Sequence, residues 1–227
     1  MRVWSVLSQK GGSGKTTLVL HTAVAAMAKG LAVSIIDLDP QRSAEQWSEL
    51  RAAKNNTEEP TVVHGTSARL RDMIEAARAT ATELVLIDTP PAIDRIMTLA
   101  AAAADLVIVP TRSGILDQFA LKETLDYLRC MNMLDKAVVV LNAASADKTA
   151  RDEVQRIAAS DFGVPVLAVA LEDRVELAEA LRAGKGITEA VSRRKGAKDA
   201  AKDLGEIYRL LDVHDRRLGQ ARKRRTA

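Results

Sequence analysis

Eight residues near the N-terminus have the composition of a phosphate-binding loop. An apolar run precedes them and an amphipathic run follows. The segment departs from the usual G-x-x-x-x-G-K-[ST] pattern because Gln9 stands where the first glycine is common. Glycines allow backbone N–H groups to turn inward around phosphate oxygens, and the start of a helix adds the positive end of its dipole. The residues of this loop, all expected to bind a nucleoside triphosphate except Lys10, are Lys10, Gly11, Gly12, Ser13, Gly14, Lys15, Thr16 and Thr17.

Two side chains of the loop have expected chemical roles. Lys15 is placed to reach the β- and γ-phosphates, and the hydroxyl of Thr16 is placed to take a Mg²⁺ position. The alternative, a glycine-rich turn with a chance lysine, does not explain the strand before the loop and the helix after it. ATP and Mg²⁺ are therefore the expected cofactors.

Carboxylates follow two other apolar runs. Asp37 and Asp39 lie in the segment Ile36–Gln41. Asp88 directly follows the four apolar residues Leu84–Ile87. In a parallel open sheet, ligands bind beyond the carboxyl ends of the strands, which is where these aspartates and the loop fall. A single aspartate at such a position is more often a turn or cap residue. Together with the lysine loop, the three indicate a metal–nucleotide site.

Short β-rich runs alternate with longer amphipathic stretches, a pattern typical of an α/β fold. We predict a mostly parallel, twisted sheet of about seven strands with helices on both faces, formed by residues 1–213, and a basic, flexible tail over 214–227. Predicted strands lie near Val3–Leu7, Ala32–Ile36, Thr61–His64, Leu84–Ile87, Leu106–Val109, Ala137–Leu141 and Val164–Val169. Helices are predicted to begin near Gly14, Ser43, Ser67, Ile93, Leu116, Lys148, Arg174 and Gly196.

Composition excludes several classes of protein. Of 227 residues, 47% are hydrophobic, which is enough for a full core. No apolar stretch approaches the ~20 residues that span a bilayer, and the N-terminus is too short and polar for a signal peptide. A lone Cys130 excludes an internal disulfide and a cysteine-rich metal centre within one chain. We expect a cytoplasmic protein.

Positive charge is concentrated at the C-terminal end. Residues 182–227 hold 14 Lys and Arg against 6 Asp and Glu, whereas the chain as a whole carries only +3. A basic end of this kind favours a polyanionic partner, although a solvated tail that aids solubility is the alternative. Candidate contacts to DNA phosphates are Arg193, Arg194, Lys195, Lys198, Lys202, Arg216, Arg217, Arg222, Lys223, Arg224 and Arg225.

The motifs resemble those of the deviant Walker A ATPases of the ParA/MinD type. In that family a lysine precedes the two glycines, as Lys10 does here, and a D-x-D-P-Q switch corresponds to Asp37–Gln41. The segment Leu84–Pro91 resembles its Walker B strand. Arg174–Ala180 and Gly184–Ile187 resemble the R-x-x-x-A-E-A and G-K-x-I region of partition proteins.

The resemblance implies roles for individual residues. Lys10 is expected to cross to the partner's nucleotide in an ATP-bound homodimer, and Asp39 to orient the attacking water, so that Lys10, Lys15 and Asp39 are the catalytic residues. Asp37 is expected near Mg²⁺ and Asp88 to hold it through water. Asn142, which ends the sixth predicted strand, is a candidate adenine contact, although a strand-end asparagine is more often a turn former. Hydrolysis is expected to be slow and stimulated by a partner.

Partition of a plasmid or chromosome, with a centromere-binding ParB-like partner and non-specific binding to the nucleoid, is the function that the resemblance implies. The chain starts directly at the nucleotide fold, so it resembles the short class without an N-terminal helix-turn-helix. A MinD-like ATPase with a lipid-binding C-terminal helix is the main alternative, since apolar residues recur along 204–211. An accessory ATPase of conjugative transfer or polar localisation is a second alternative. An iron protein is disfavoured because Cys130 is the chain's single cysteine.

Overall fold

The computed structural model describes residues 1–91, 95–144, 147–190 and 193–226, without the side chains of 225 and 226. Seven strands form one sheet. They are β1 Arg2–Val6, β2 Val33–Asp37, β3 Thr61–His64, β4 Leu84–Asp88, β5 Leu106–Thr111, β6 Ala137–Ala144 and β7 Leu171–Glu172.

Helices alternate with the strands as the sequence predicts. They are α1 Lys15–Met27, α2 Ser43–Asn55, α3 Leu70–Ala79, α4 Arg95–Ala103, α5 Ile115–Cys130, α6 Lys148–Gln155, α7 Val175–Arg182 and α8 Lys195–Thr226. A 3-10 turn at Ser67–Arg69 leads into α3, and a π-helical segment at Arg156–Asp161 continues α6. The predicted helix start at Ile93 lies outside the described residues.

The sheet is parallel throughout, with the order β3-β2-β4-β1-β5-β6-β7. In the centre, Val6 of β1 pairs with Asp88 of β4, which in turn pairs with Asp37 of β2. The strands that precede the loop and the two acidic segments are therefore neighbours, and their carboxyl ends meet. The fold confirms that the three motifs lie at one edge of the sheet.

Alternating strand residues divide the core into two layers. On one face, residues such as Ile35, Leu86 and Ile108 pack with α1, α2, α7 and α8. On the other, Val85 and Val107 pack with α3, α4, α5 and α6. All five side chains are fully buried, so the strands are apolar on both faces, as a parallel sheet covered by helices requires. Helices on both faces are thus confirmed.

The prediction of a seventh strand at Val164–Val169 is wrong. In this segment only Val166 bridges to β6, and the strand proper is the two-residue β7, Leu171–Glu172. Pro165 has no N–H group to donate to a ladder, so the segment is joined to Val139 through two backbone bonds, from Val139 to the Pro165 carbonyl and from Leu167 to the Val139 carbonyl. The apolar composition of Val164–Val169 predicts a strand, but it does not show that Pro165 interrupts the pairing with β6.

The basic segment predicted as a tail from residue 214 is part of α8, which continues without a break from Lys195 to Thr226. Asp215 is buried, and its carboxylate accepts a hydrogen bond of 2.9 Å from the indole N–H of Trp4 in the central strand. Arg222 donates to both the carboxylate and the carbonyl of Asp105. These contacts dock the helix past the predicted boundary.

The apolar stripe along α8 is used by the core. Leu204, Ile207 and Leu211 are completely buried, and Tyr208 stacks at a tilt on Trp4. The stripe that raised the alternative of a lipid-binding helix therefore packs on the sheet. Among the described residues, no helix combines the length and the apolar character needed to cross a bilayer.

The buried bond between Asp215 and Trp4 generates a test of this docking. Asp215→Ala leaves the fully buried indole N–H without a partner, so we expect the free energy of unfolding to fall by about 1–3 kcal/mol. Arg217→Ala, an exposed change on the same helix, is the control and should stay within about 0.5 kcal/mol of the parent. Urea unfolding followed by circular dichroism measures both. Equal stabilities would mean that the end of α8 is not docked.

Candidate nucleotide site

The N-terminus of α1 is open to a ligand. The cap residue Gly14 has a left-handed φ of 84° and offers no side-chain cap, and the first turn contains no acidic residue. Gly12 has a φ of 75°, also in the region that favours glycine. The first N–H groups of a helix have no partner within the helix, and the dipole makes this end positive. The loop therefore forms an anion-binding site at the end of β1.

Lys15 lies inside this loop. Its side chain is largely buried, and its Nζ donates a hydrogen bond of 3.2 Å to the carbonyl of Lys10. Burial lowers the pKa of Lys15, while Asp88 and Asp39 raise it and so favour the charged form. A loop carbonyl thus holds the ammonium near two carboxylates that favour its charged form. In this position the charged ammonium can bind a phosphate in the loop.

Asp88 is the most unusual carboxylate of the site. It is fully buried at the end of β4, and neither side-chain oxygen has a hydrogen-bond partner of normal geometry. Burial raises its pKa to about 7, an effect that the nearby hydroxyl of Thr16 partly offsets. A buried, unpartnered carboxylate beside a hydroxyl fits Mg²⁺, which prefers oxygen ligands and retains several waters. Thr16 and Asp88 are therefore the residues that suit the metal.

Asp37 and Asp39 have different surroundings. One oxygen of the buried Asp37 accepts the N–H of Asp39 at 3.0 Å, and the other accepts N–H groups at the start of α2, from Ala44 at 3.0 Å and Glu45 at 3.2 Å. Burial raises the pKa of Asp37, and these bonds lower it. Asp37 thus fixes the segment that carries Asp39, and its role as a metal ligand stays a prediction. Asp39 is half-exposed, and within the described part of the chain its carboxylate accepts only the N–H of Gln41.

Lys10 is held within its own chain. Its Nζ forms an ion pair of 2.7 Å with Asp117 in the first turn of α5, and its side chain is one-third exposed. Sequence reasoning gave Asp117 no role, because nothing in the spacing shows that the start of α5 lies beside the loop. Three exposed apolar side chains near it were missed for the same reason: Ile115, Leu116 and Phe119.

Asn142 lies next to the phosphate loop. It is buried at the end of β6, and its Nδ2 donates a hydrogen bond of 2.8 Å to the carbonyl of Ser13. A cavity of about 270 Å³ opens beside it, lined by Gly12, Gly14 and Thr17 of the loop and by residues of α7. The position suits a nucleoside attached to phosphates in the loop. Its role as an adenine contact stays a prediction.

The predicted DNA-binding residues do not form one patch. Lys195 and Arg222 are separated by about 40 Å along α8, at a rise of 1.5 Å per residue. The start of α8 lies beside α7, near the nucleotide site, whereas Arg222 reaches the residue before β5 at the opposite edge of the sheet.

Several of these cations are engaged within the chain. Arg194 pairs with Glu179, Arg216 with Asp212 and Arg222 with Asp105. The side chain of Arg225 lies outside the described residues. Exposed cations that form no ion pair within the described ranges are Arg193, Lys195, Lys198, Lys202, Arg217 and Arg224.

Comparison with known proteins agrees with this geometry. Residues 4–187 match the model of the CobQ/CobB/MinD/ParA nucleotide binding domain, and the chain belongs to this family. It is 30% identical over 212 residues to the maintenance of carboxysome distribution protein A of Gloeobacter kilaueensis, covering 93% of this chain and 94% of that protein. It is 26% identical to the chromosome partitioning protein ParA of Caulobacter vibrioides, over 82% and 86% of the two chains.

The fold is shared with the MinD cell division protein of Aquifex aeolicus. The two structures superpose with a TM-score of 0.73 over 94% of this chain and 98% of the other, at 16% identity. The resemblance to ParA/MinD ATPases and the predicted α/β fold are thereby confirmed.

The contrast between Asp37 and Asp39 generates a test. Asp37→Ala removes the acceptor of three backbone N–H groups, so the ligand-free protein should lose about 1–3 kcal/mol of unfolding free energy. Asp39→Ala removes one exposed contact and should cost less than about 1 kcal/mol. Chemical denaturation without nucleotide compares the two. If Asp39→Ala is the more damaging change, Asp37 does not fix the segment.

Proposed function

We propose that this chain is a Mg²⁺-dependent ATPase that dimerises on ATP, binds DNA without sequence preference, and segregates a large cargo with the help of a partner protein. One observation carries the proposal: an uncapped helix start, the buried Lys15 and the unpartnered Asp88 converge at one edge of the sheet. Membership of a nucleotide-binding family supports it.

Hydrolysis at such a site depends on position and charge. The loop N–H groups and Lys15 would hold the phosphates, and Thr16 and Asp88 would hold Mg²⁺, which neutralises the charge that develops on the γ-phosphoryl group. Asp39 is on the same edge and half-exposed, and its carboxylate, which accepts one backbone N–H, would orient water. Lys15 lies close enough to Asp39 and Asp88 for both to raise its pKa.

Dimerisation is supported by the surface beside the loop. Ile115, Leu116 and Phe119 are 60%, 66% and 58% exposed in the first two turns of α5, next to the Lys10–Asp117 ion pair. Exposed apolar clusters of this kind mark interaction surfaces. In a dimer that sandwiches two nucleotides, this surface would face the second copy, and Lys10 would exchange Asp117 for the partner's phosphates.

Nucleotide-dependent association tests the core of the proposal. We expect the parent protein to be monomeric without nucleotide and dimeric with Mg²⁺ and ATP. Lys15→Ala should stay monomeric, because the phosphates lose their cation, and Asp39→Ala should remain dimeric with hydrolysis at least about tenfold slower. Light scattering coupled to gel filtration and phosphate release measure both properties. Equal hydrolysis by Asp39→Ala and the parent would remove the role of Asp39.

Phe119→Asp tests whether the apolar surface of α5 forms the dimer interface. It should prevent the dimer while leaving ATP binding to the monomer intact, since Phe119 does not line the loop. A dimer that forms normally with this variant would place the interface elsewhere.

DNA binding is assigned to the start of α8. Lys195, Lys198 and Lys202 recur at helical spacing along one face and are exposed. Exposed lysines without base-reading partners contact phosphates, which gives affinity but no sequence preference. Because these residues lie at the same end as the nucleotide site, a dimer formed there would bring two such faces together.

Salt dependence tests this assignment. If the ATP-bound dimer contacts about six phosphates, the log–log slope of affinity against salt should be roughly −5, and the double variant Lys198→Ala/Lys202→Ala should reduce it to about −2. Arg222→Ala, whose side chain is paired with Asp105, is the control and should leave the slope unchanged. Fluorescence anisotropy with ATP, ADP and no nucleotide measures it. A slope near zero, or affinity independent of ATP, would contradict DNA binding.

A plasmid or chromosome with a ParB-like centromere-binding protein is the proposed cargo and partner, with the protein on the nucleoid. A protein compartment is a second candidate cargo, favoured by the 30% identity to a carboxysome distribution protein. The MinD-like membrane alternative is weakened because the apolar stripe of α8 is buried. Liposome flotation with ATP would detect it. The conjugative-transfer alternative has no structural observation in its favour.

A further inference from the structure

Near the end of β6, the side chain of Asn142 contacts the phosphate loop. Strand alternation places Asn142 on the same face as Val138 and Val140, which pack toward α1. There its Nδ2 donates to the carbonyl of Ser13 at 2.8 Å, and the side chain is buried. A buried amide bonded to a loop carbonyl restricts the position of the loop.

The contact extends to Gly14. A Cβ atom at Gly14 would lie 1.9 Å from Nδ2 and 3.2 Å from Cγ of Asn142, so only glycine fits against the amide. The left-handed φ of 84° at Gly14 independently requires glycine. Gly14 is the cap of α1, and its position therefore determines where the first free N–H groups of the helix point.

Backbone strain lies directly behind this contact. Ala143 has a φ of 48°, a left-handed conformation that is strained for a residue with a Cβ, and the ladder with β7 shifts register between Asn142 and Ala144. Bulges of this kind direct side chains next to functional sites. The strand thus departs from regular geometry immediately after Asn142.

We propose that Asn142 is a positioning residue of the phosphate loop, acting on Ser13 and Gly14 whatever base the nucleotide carries. The inference rests on the proposed nucleotide function and differs from an adenine contact, which would act on the base alone. An amide is needed because it donates to the Ser13 carbonyl. A carboxylate at this position would face that carbonyl and add negative charge beside the phosphates.

Binding of three ligands tests the proposal. Affinities for ATP, GTP and inorganic tripolyphosphate, each with Mg²⁺, are measured by calorimetry for the parent, Asn142→Ala and Asn142→Asp. We expect losses of about tenfold for Asn142→Ala and more for Asn142→Asp, of similar size for all three ligands. Loss confined to ATP, or no loss at all, would overturn the proposal. Asn132→Asp, the same change at an exposed turn after α5, is the control and should bind like the parent.

A second measurement does not depend on nucleotide binding. Hydrogen exchange of the amides in residues 13–17 should be faster in Asn142→Ala than in the parent and in Asn132→Asp, and the increase should exceed that of the amides in the central strands β1 and β4, which report any loss of global stability. Unchanged exchange would overturn the positioning role. Failure of the parent protein to bind any of the three ligands would instead refute the proposed nucleotide function, and the exchange data would still decide the role of Asn142.

Discussion

The free N–H groups at the start of α1 are the feature on which the site depends. They lie on a helix whose cap provides no side-chain acceptor and whose first turn has no carboxylate. Such an end is stabilised by an anion supplied from outside. The parallel sheet adds the second requirement, because the register of Val6, Asp88 and Asp37 across three strands brings the acidic segments to the same edge. The strand order therefore places the anion site and the residues that suit the metal at the same edge of the sheet.

Both lysines of the loop are bound by the protein's own oxygen atoms. Lys15 donates to the Lys10 carbonyl, and Lys10 pairs with Asp117. Binding of a triphosphate would accordingly exchange partners rather than capture unpaired cations, and the exchange at Lys10 involves α5. A link between the phosphate loop and the apolar surface of α5 is thus built into the ion pair.

The last helix combines attachment to the sheet with exposed positive charge, and its composition alone does not separate the two. Its apolar stripe and the Asp215–Trp4 bond attach it to the central strand, and Arg222 joins its far end to Asp105. Part of its positive charge is consequently used for attachment. The exposed lysines at its start, near the nucleotide site, stay available to a polyanion, as do Arg217 and Arg224 further along.

Local patterns were sufficient to predict the phosphate loop, the strand-end aspartates and most of the elements, because glycine spacing, apolar alternation and helical periodicity are properties of short segments. They misplaced β7, where Pro165 interrupts pairing, and they separated a tail from α8 because charge at its end concealed the buried Asp215. The sequence by itself determined which residues could bind phosphate and metal. Only the tertiary structure decided that Asp37 anchors its segment, that Asp117 holds Lys10 and that Asn142 meets Gly14, since each contact joins elements distant along the chain.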